Sequence, residues 1–130
     1  PITDLSIAYQ SARCVVNATL TSEAFGRIPL EAGAMSRLMI APEHSGFLET
    51  IIPGRTGWHF KPGNALDLAN CIRQCLSLSD EERQARQEQA RQHVMENFLV
   101  EHMHEKTFEV YRTALIENQH SKKKPIKTNV

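Results

Sequence analysis

The apolar residues fall into short blocks separated by polar breaks rich in Gly and Pro, and the spacing inside each block predicts its element. From Asp4 to Ala12, Leu5, Ala8 and Tyr9 share one face of a short helix. Arg13 to Asn17 is short, apolar and β-branched, which suits a buried strand. Ala18 to Ser22 is small and polar, a loop at the C-terminal end of that strand. A helix follows from about Arg27 to Ser36, with Pro29 in its first turn, where a missing N–H costs nothing. Leu38 to Ala41 reads as a second buried strand stopped by Pro42. The loop Glu43 to Gly46 feeds a short helix carrying Phe47, Leu48, Ile51 and Ile52, which Pro53-Gly54 ends. Thr56 to Phe60 is the third strand, and Lys61-Pro62-Gly63 turns the chain.

Helices then dominate. Asn64 is placed to cap a helix carrying Leu66, Leu68, Ala69, Ile72 and Leu76, with Asp67 favouring its positive end. Ser79 to Glu82 forms a capping box that opens a Gln- and Arg-rich helix to about Asn97. So polar a helix belongs at the surface, with Ala85, Ala90 and Val94 as its contacts. The last helix, from about Val100 to Glu117, sets Met103, Thr107, Val110, Tyr111, Ala114 and Leu115 on one stripe. No internal repeat is visible. Short strands alternating with helices imply an α/β fold, a Rossmann-like three-layer arrangement with a parallel sheet covered on both faces. Ligands of such sheets bind beyond the C-terminal ends of the strands. The loops Ala18 to Gly26 and Pro42 to Gly46 both fall on that edge and can line one crevice.

Composition narrows the classes. The length of 130 residues suits one small domain. No apolar run approaches the ~20 residues that cross a bilayer, so no transmembrane segment is expected. Pro1-Ile2-Thr3-Asp4 lacks the basic and apolar regions of a signal peptide, and the absence of an initial Met suggests a piece of a longer chain. Cys14, Cys71 and Cys75 are consistent with a reducing, cytoplasmic setting. Cys71 and Cys75, four apart on a helix, read as small core-facing residues rather than a metal pair. The net charge is zero, but Ser121 to Val130 holds four lysines and no acid, leaving 11 basic and 15 acidic groups elsewhere. That balance argues against a nucleic-acid partner. Residues 119–130 read as a basic, disordered tail beyond a domain of residues 1–118.

The candidate chemistry lies in the first crevice loop. Glu23 stands in the loop, Phe25-Gly26-Arg27 makes a turn, and Glu31 lies about one turn into the helix. A helix N-terminus offers unpaired N–H groups and partial positive charge, so the backbone of Gly26-Arg27-Ile28 suits a diphosphate. A carboxylate at Glu31 can accept two hydrogen bonds from a vicinal diol such as that of a ribose. Glu23 could hold hydroxyls at the other end, and a diphosphate flanked by a ribose and a sugar is a nucleotide-sugar. Acidic residues near helix N-termini are also common for dipole reasons alone, so spacing leaves both readings open. Among six histidines, His44 lies in the crevice. His102 and His104, two apart on a helix, point away from each other and share no metal; no metal site is expected.

The run Glu-Ala-Phe-Gly-Arg-Ile-Pro-Leu-Glu-Ala (23–32) resembles the paired-glutamate motif of retaining glycosyltransferases of the GT-B fold, the family of sucrose-synthase-like, lipopolysaccharide and mannosyl transferases. Segments 38–42, 44–51, 54–63 and 97–98, with Tyr111, agree with it in order over residues 4 to 116. The resemblance implies that Glu23 contacts the donor sugar and is the catalytic-centre carboxylate, and that the Phe25-Gly26-Arg27 backbone approaches the sugar and diphosphate. It further implies that Glu31 holds the ribose and that His44 and Gly46 lie near the donor. Ser45 replaces the first of two customary glycines, and Thr19 stands in place of a customary Ser. The chemistry of the family needs no metal or other cofactor.

The expectation from the residues and the resemblance together is part of the C-terminal, nucleotide-sugar-binding domain of such an enzyme, moving a hexose to a sugar or lipid acceptor. In that family a strand and loop bearing an Arg and a Lys, and an acceptor-binding first domain, come before this region. Without them the 130 residues are expected to be inactive or nearly so. The full-length enzyme is expected in the cytoplasm, at most peripheral to the inner face of a membrane, in a lipopolysaccharide or glycan pathway. The expected partners are the nucleotide-sugar donor and either that first domain or a second copy, through the last helix. The alternative is a non-catalytic binding or oligomerisation module derived from such an enzyme; a nucleotide-sugar epimerase of the same fold is a third reading.

Overall fold

The computed structural model describes residues 4–21, 24–44 and 46–122, with side chains described up to residue 117. Among the described residues the order is α1 (Leu5–Ser11), β1 (Val15–Val16), α2 (Arg27–Ala34), β2 (Met39–Pro42) and α3 (Phe47–Thr50). It continues with β3 (Gly57–Phe60), α4 (Ala65–Leu76), α5 (Asp80–Asn97) and α6 (Val100–Lys122). The chain divides into two units, 1–97 and 98–130.

The first unit is built on a parallel sheet in the order β1-β2-β3. Val15 pairs with Met39, and Met39 with Gly57, so the strands start nearly level. The β1 ladder is closed by Val15 N–H donating to Leu38 O and Asn17 N–H to Ile40 O, both at 2.9 Å. The central strand is buried along its whole length. Its side chains alternate between faces, as the strand period requires. Leu38 and Ile40 pack with Phe60, Cys71 and Cys75 on one side, and Met39 and Ala41 with Ala32, Phe47 and Ile51 on the other. The sheet is therefore covered on both faces, as its alternation of strands and helices implies.

Pro42 does not stop β2 but pairs with Phe60 as its last residue. Residues 38 and 40 turn their carbonyls to β1, whereas Met39 N–H and Glu43 N–H donate to Thr56 O and Phe60 O of the β3 segment. The Pro42 nitrogen therefore faces the β1 side beyond the point where β1 has ended, and no ladder bond is lost. In α4, Asn64 Oδ1 accepts Asp67 N–H at 3.1 Å, as the sequence predicts. Its buried residues, Cys71 and Cys75, bear out the core-facing reading of both thiols, while Leu66 and Leu76 are exposed.

The capping box forms reciprocally: Ser79 N–H donates to Glu82 Oε2 at 2.9 Å and Glu82 N–H to Ser79 Oγ at 3.2 Å. The polar helix it opens, α5, buries Ala90 and Val94 but leaves Ala85 exposed. α5 packs on α2, where a Cβ on Gly33 would lie 2.8 Å from Val94 Cγ2. Arg91 Nη1 also donates to Ala34 O at the end of α2. The Arg86 guanidinium lies 5.6 Å from the Trp58 ring centroid and donates to Gly54 O at 2.5 Å. In the second unit, Met103, Val110, Tyr111 and Leu115 of the α6 stripe are exposed. No helix among the described residues is long and apolar enough to cross a membrane.

Candidate functional site

Two loops leave the C-terminal edge of the sheet, one from β1 towards α2 and one from β2 towards α3. The structure brings them into contact. Gly46 lies so close to the Phe25 backbone that a Cβ at Gly46 would fall 2.3 Å from both the carbonyl carbon and oxygen of Phe25. On the other side of the turn, Gly26 adopts φ 73°, and a Cβ there would stand 3.0 Å from the Phe47 ring. Glycine at 26 thus answers to both a left-handed backbone and a close approach. At 46 the backbone is ordinary helical and only the approach matters.

Gly26 is the N-cap of α2 and supplies no side-chain hydrogen bond to it. The first amides of α2 therefore carry no side-chain cap from the N-cap position, and the positive end of the helix lies beside the two touching loops. Gly26 is buried, Ile28 half-buried, and Phe25 and Arg27 are exposed. Arg27 Nη2 lies 3.4 Å from Glu31 Oε1, an i,i+4 pair in which the Arg27 side chain is 83% exposed. His44 packs its ring 5.5 Å from that of Phe47. Both of its ring nitrogens are buried without a hydrogen-bond partner among the described residues. Glu23 and Ser45 lie outside the described residues.

The structure thus gathers Phe25, Gly26, Arg27, Ile28, Glu31, His44 and Gly46 at one end of the sheet. It also adds residues that sequence reasoning missed. Tyr9, assigned above to an apolar helix face, directs its hydroxyl to Glu31 Oε2 at 2.9 Å. Its phenol is held above the ordinary tyrosine range by burial first, and then by the hydrogen bond to Glu31 and the charge there. His59 Nε2 lies 3.1 Å from Phe47 O and ties β3 to the start of α3. Neither pairing has a signal in the sequence, since each joins residues many positions apart. Among the described residues no group of three His, Cys, Asp or Glu is arranged to hold a metal ion.

A parallel α/β sheet with two touching loops and an uncapped helix start at its C-terminal edge has the features with which sheets of this class take their ligands. Residues 1–93 match the family model described as Glycosyl transferases group 1, and the chain belongs to that family. Its fold is that of the GT-B glycosyltransferases it superposes on. A glycosyltransferase from Rickettsia africae ESF-5 is 36% identical, with a TM-score of 0.79 over 87% of this chain. A sucrose-phosphate synthase from Thermosynechococcus elongatus is 27% identical, with a TM-score of 0.77 over 87% of this chain. Anabaena HepE in complex with UDP is 22% identical, with a TM-score of 0.75 over 82% of this chain, a likeness of fold. The chain spans 30%, 28% and 29% of those three proteins. No curated protein matches it.

Proposed function

We propose that this chain forms the donor side of a retaining glycosyltransferase, binding a nucleoside-diphosphate sugar from which a hexose passes to a sugar or lipid acceptor. The observation that supports the reading is the close contact of Gly46 with the Phe25 backbone, which brings the loop before the uncapped start of α2 against the loop that carries His44. The α2 amides and Arg27 receive the diphosphate, Glu31 accepts hydrogen bonds from the ribose diol, and Glu23 orients the donor sugar. His44 offers the ring nitrogens that have no protein partner among the described residues, and Gly46 keeps the floor of the crevice low. Support also comes from HepE, whose solved complexes contain UDP and UDP-glucose.

In transfer, negative charge collects on the leaving diphosphate, and stabilising it is the main electrostatic task. Arg27 is the arginine of the motif, is largely exposed and is shared with Glu31. One such cation is a weak clamp, so the 130 residues alone are expected to bind donor but transfer little or none. The setting expected for the whole enzyme is cytoplasmic, in glycan synthesis. A second reading, a binding or self-associating module without catalysis, is favoured by the exposed Met103, Val110, Tyr111 and Leu115 of α6.

Calorimetric titration with UDP-, GDP- and ADP-sugars tests the donor reading. Glu31→Ala should weaken nucleotide and nucleotide-sugar alike, and Glu23→Ala the nucleotide-sugar alone. Equal losses in both variants would refute the division of roles, and no heat with any ligand at millimolar concentration would refute the donor site.

A further inference from the structure

Glu31 has two partners in the structure, and they differ in kind. Arg27 meets Oε1 at 3.4 Å from an exposed position on the same helix. Such i,i+4 surface pairs are weak and readily exchanged for a ligand. Tyr9 meets Oε2 at 2.9 Å from another helix. Its ring packs against the cluster of Ala32, Met39, Ala41, Phe47 and Ile51 under the crevice. Its backbone is pinned as well: the Tyr9 carbonyl accepts Arg37 Nε at 2.8 Å and the Gln10 carbonyl accepts Arg37 Nη2 at 2.6 Å. Arg37 also donates to Ser36 O at 2.8 Å, so one guanidinium joins the end of α1 to the turn after α2.

We propose that Tyr9 is a positioning residue for nucleotide binding: by donating to Oε2 from a fixed ring, it locks the Glu31 carboxylate in the orientation that receives a ribose diol. This rests on the reading of Glu31 as the ribose grip. A glutamate on a helix surface samples several rotamers, and ordering it on binding weakens affinity. The Tyr9 hydrogen bond performs that ordering before the ligand arrives. Oε1 then exchanges Arg27 for one ribose hydroxyl, while Oε2 keeps a further lone pair for the other. Arg27, released, is free to turn to the diphosphate. Tyr9 remains a donor throughout the neutral range because burial and the Glu31 carboxylate disfavour its ionised form.

The test uses Tyr9→Phe, which keeps the packed ring and removes the hydroxyl. The probes are UDP, GDP and ADP with their 2′,3′-dideoxy counterparts, titrated calorimetrically against the 130-residue chain. For the diphosphate bound best, Tyr9→Phe should weaken binding about three- to tenfold, the scale of one newly immobilised side chain. The dideoxy counterpart should bind the variant as it binds the parent. Adding Tyr9→Phe to Glu31→Ala should cost nothing further. A second measurement needs no ligand. In a Tyr111→Phe background, absorbance titration follows Tyr9 alone, and Glu31→Gln should bring its midpoint down. An unmoved midpoint would overturn the proposal. So would a Glu31→Ala variant that loses nucleotide affinity while Tyr9→Phe keeps it, an outcome that leaves the ribose reading standing. Unchanged affinity in Glu31→Ala, or no binding of any diphosphate, would overturn the ribose reading and the positioning role together.

Discussion

Gly46→Ala probes the contact that makes the crevice. The Gly46 backbone is ordinary helical, at φ −57° and ψ −18°, so alanine meets no dihedral penalty there and the effect is purely steric. The added Cβ would lie 2.3 Å from the Phe25 carbonyl carbon and oxygen and 2.6 Å from its Cα. That is about 1 Å inside ordinary van der Waals contact, and the obstacle is backbone, which no rotamer change removes. The two loops must part. Overpacking of this kind costs about 1–3 kcal/mol. In a unit of this size each kcal/mol lowers the melting temperature by about 4–8 °C.

The same displacement carries Phe25 and Gly26 away from His44, so affinity for a nucleoside diphosphate should fall with stability. Differential scanning calorimetry and nucleotide titration on one sample read both effects. Gly63→Ala is the control, since Gly63 has nothing within 4 Å of its Cβ position but sits at φ 75°, so it registers dihedral strain without a steric clash. Gly46→Ala should lose both stability and affinity, and Gly63→Ala stability alone. A Gly46→Ala protein that melts and binds as the parent does would refute the claim that loop contact shapes the site.

Three other outcomes follow from individual contacts. Ser79→Ala breaks the reciprocal capping box and should cost about 1 kcal/mol, seen as an earlier thermal transition. His93 is held below its ordinary value of 6.5 by burial first and then by the Arg55 charge, with Glu96 opposing. A depressed folded pKa gives stability that is present above pH 6.5 and lost as the pH falls through the folded value. Denaturant melts should therefore weaken on acidification below pH 6.5, and His93→Gln should flatten that slope. Cys14 is lowered to about 7, chiefly by the neighbouring Cys75 thiol against the opposing effect of burial, while Cys75 is pushed up. Timed alkylation followed by peptide mass mapping should modify Cys14 first, with a rate that rises through pH 7.

The strand and loop order was legible because each signal was local: β-branched runs for the strands, Gly and Pro breaks between them, Asn64 and Ser79 as caps. Errors arose where local rules met their surroundings. Pro42 looked like a strand terminator, but its nitrogen faces the side where β1 has already ended. In α4 the aliphatic residues alone do not mark the inner face, for Leu66 and Leu76 are exposed. The stripe that packs on the core runs through Leu68, Cys71, Ile72 and Cys75, with both thiols facing inward as the sequence reading had them, since a free thiol packs as a small apolar group. Most of the candidate site lay within one stretch and was readable as such. Tyr9 was not, because its role is a hydrogen bond across 22 residues, and a tyrosine on an apolar helix face looks the same whether or not its hydroxyl has a partner.

These long-range ties converge on α2. Phe47 packs under its N-cap, Gly26, Tyr9 holds the carboxylate one turn in, Val94 packs against Gly33, and Arg91 meets its last carbonyl. A helix of eight residues is too short to hold its orientation by its own hydrogen bonds. Its direction, and with it the aim of its amides into the crevice, is therefore set by three neighbouring helices. In the proposed reading this explains why the helix can forgo a side-chain N-cap: stability comes from packing along its body, which leaves its N-terminal amides for a diphosphate.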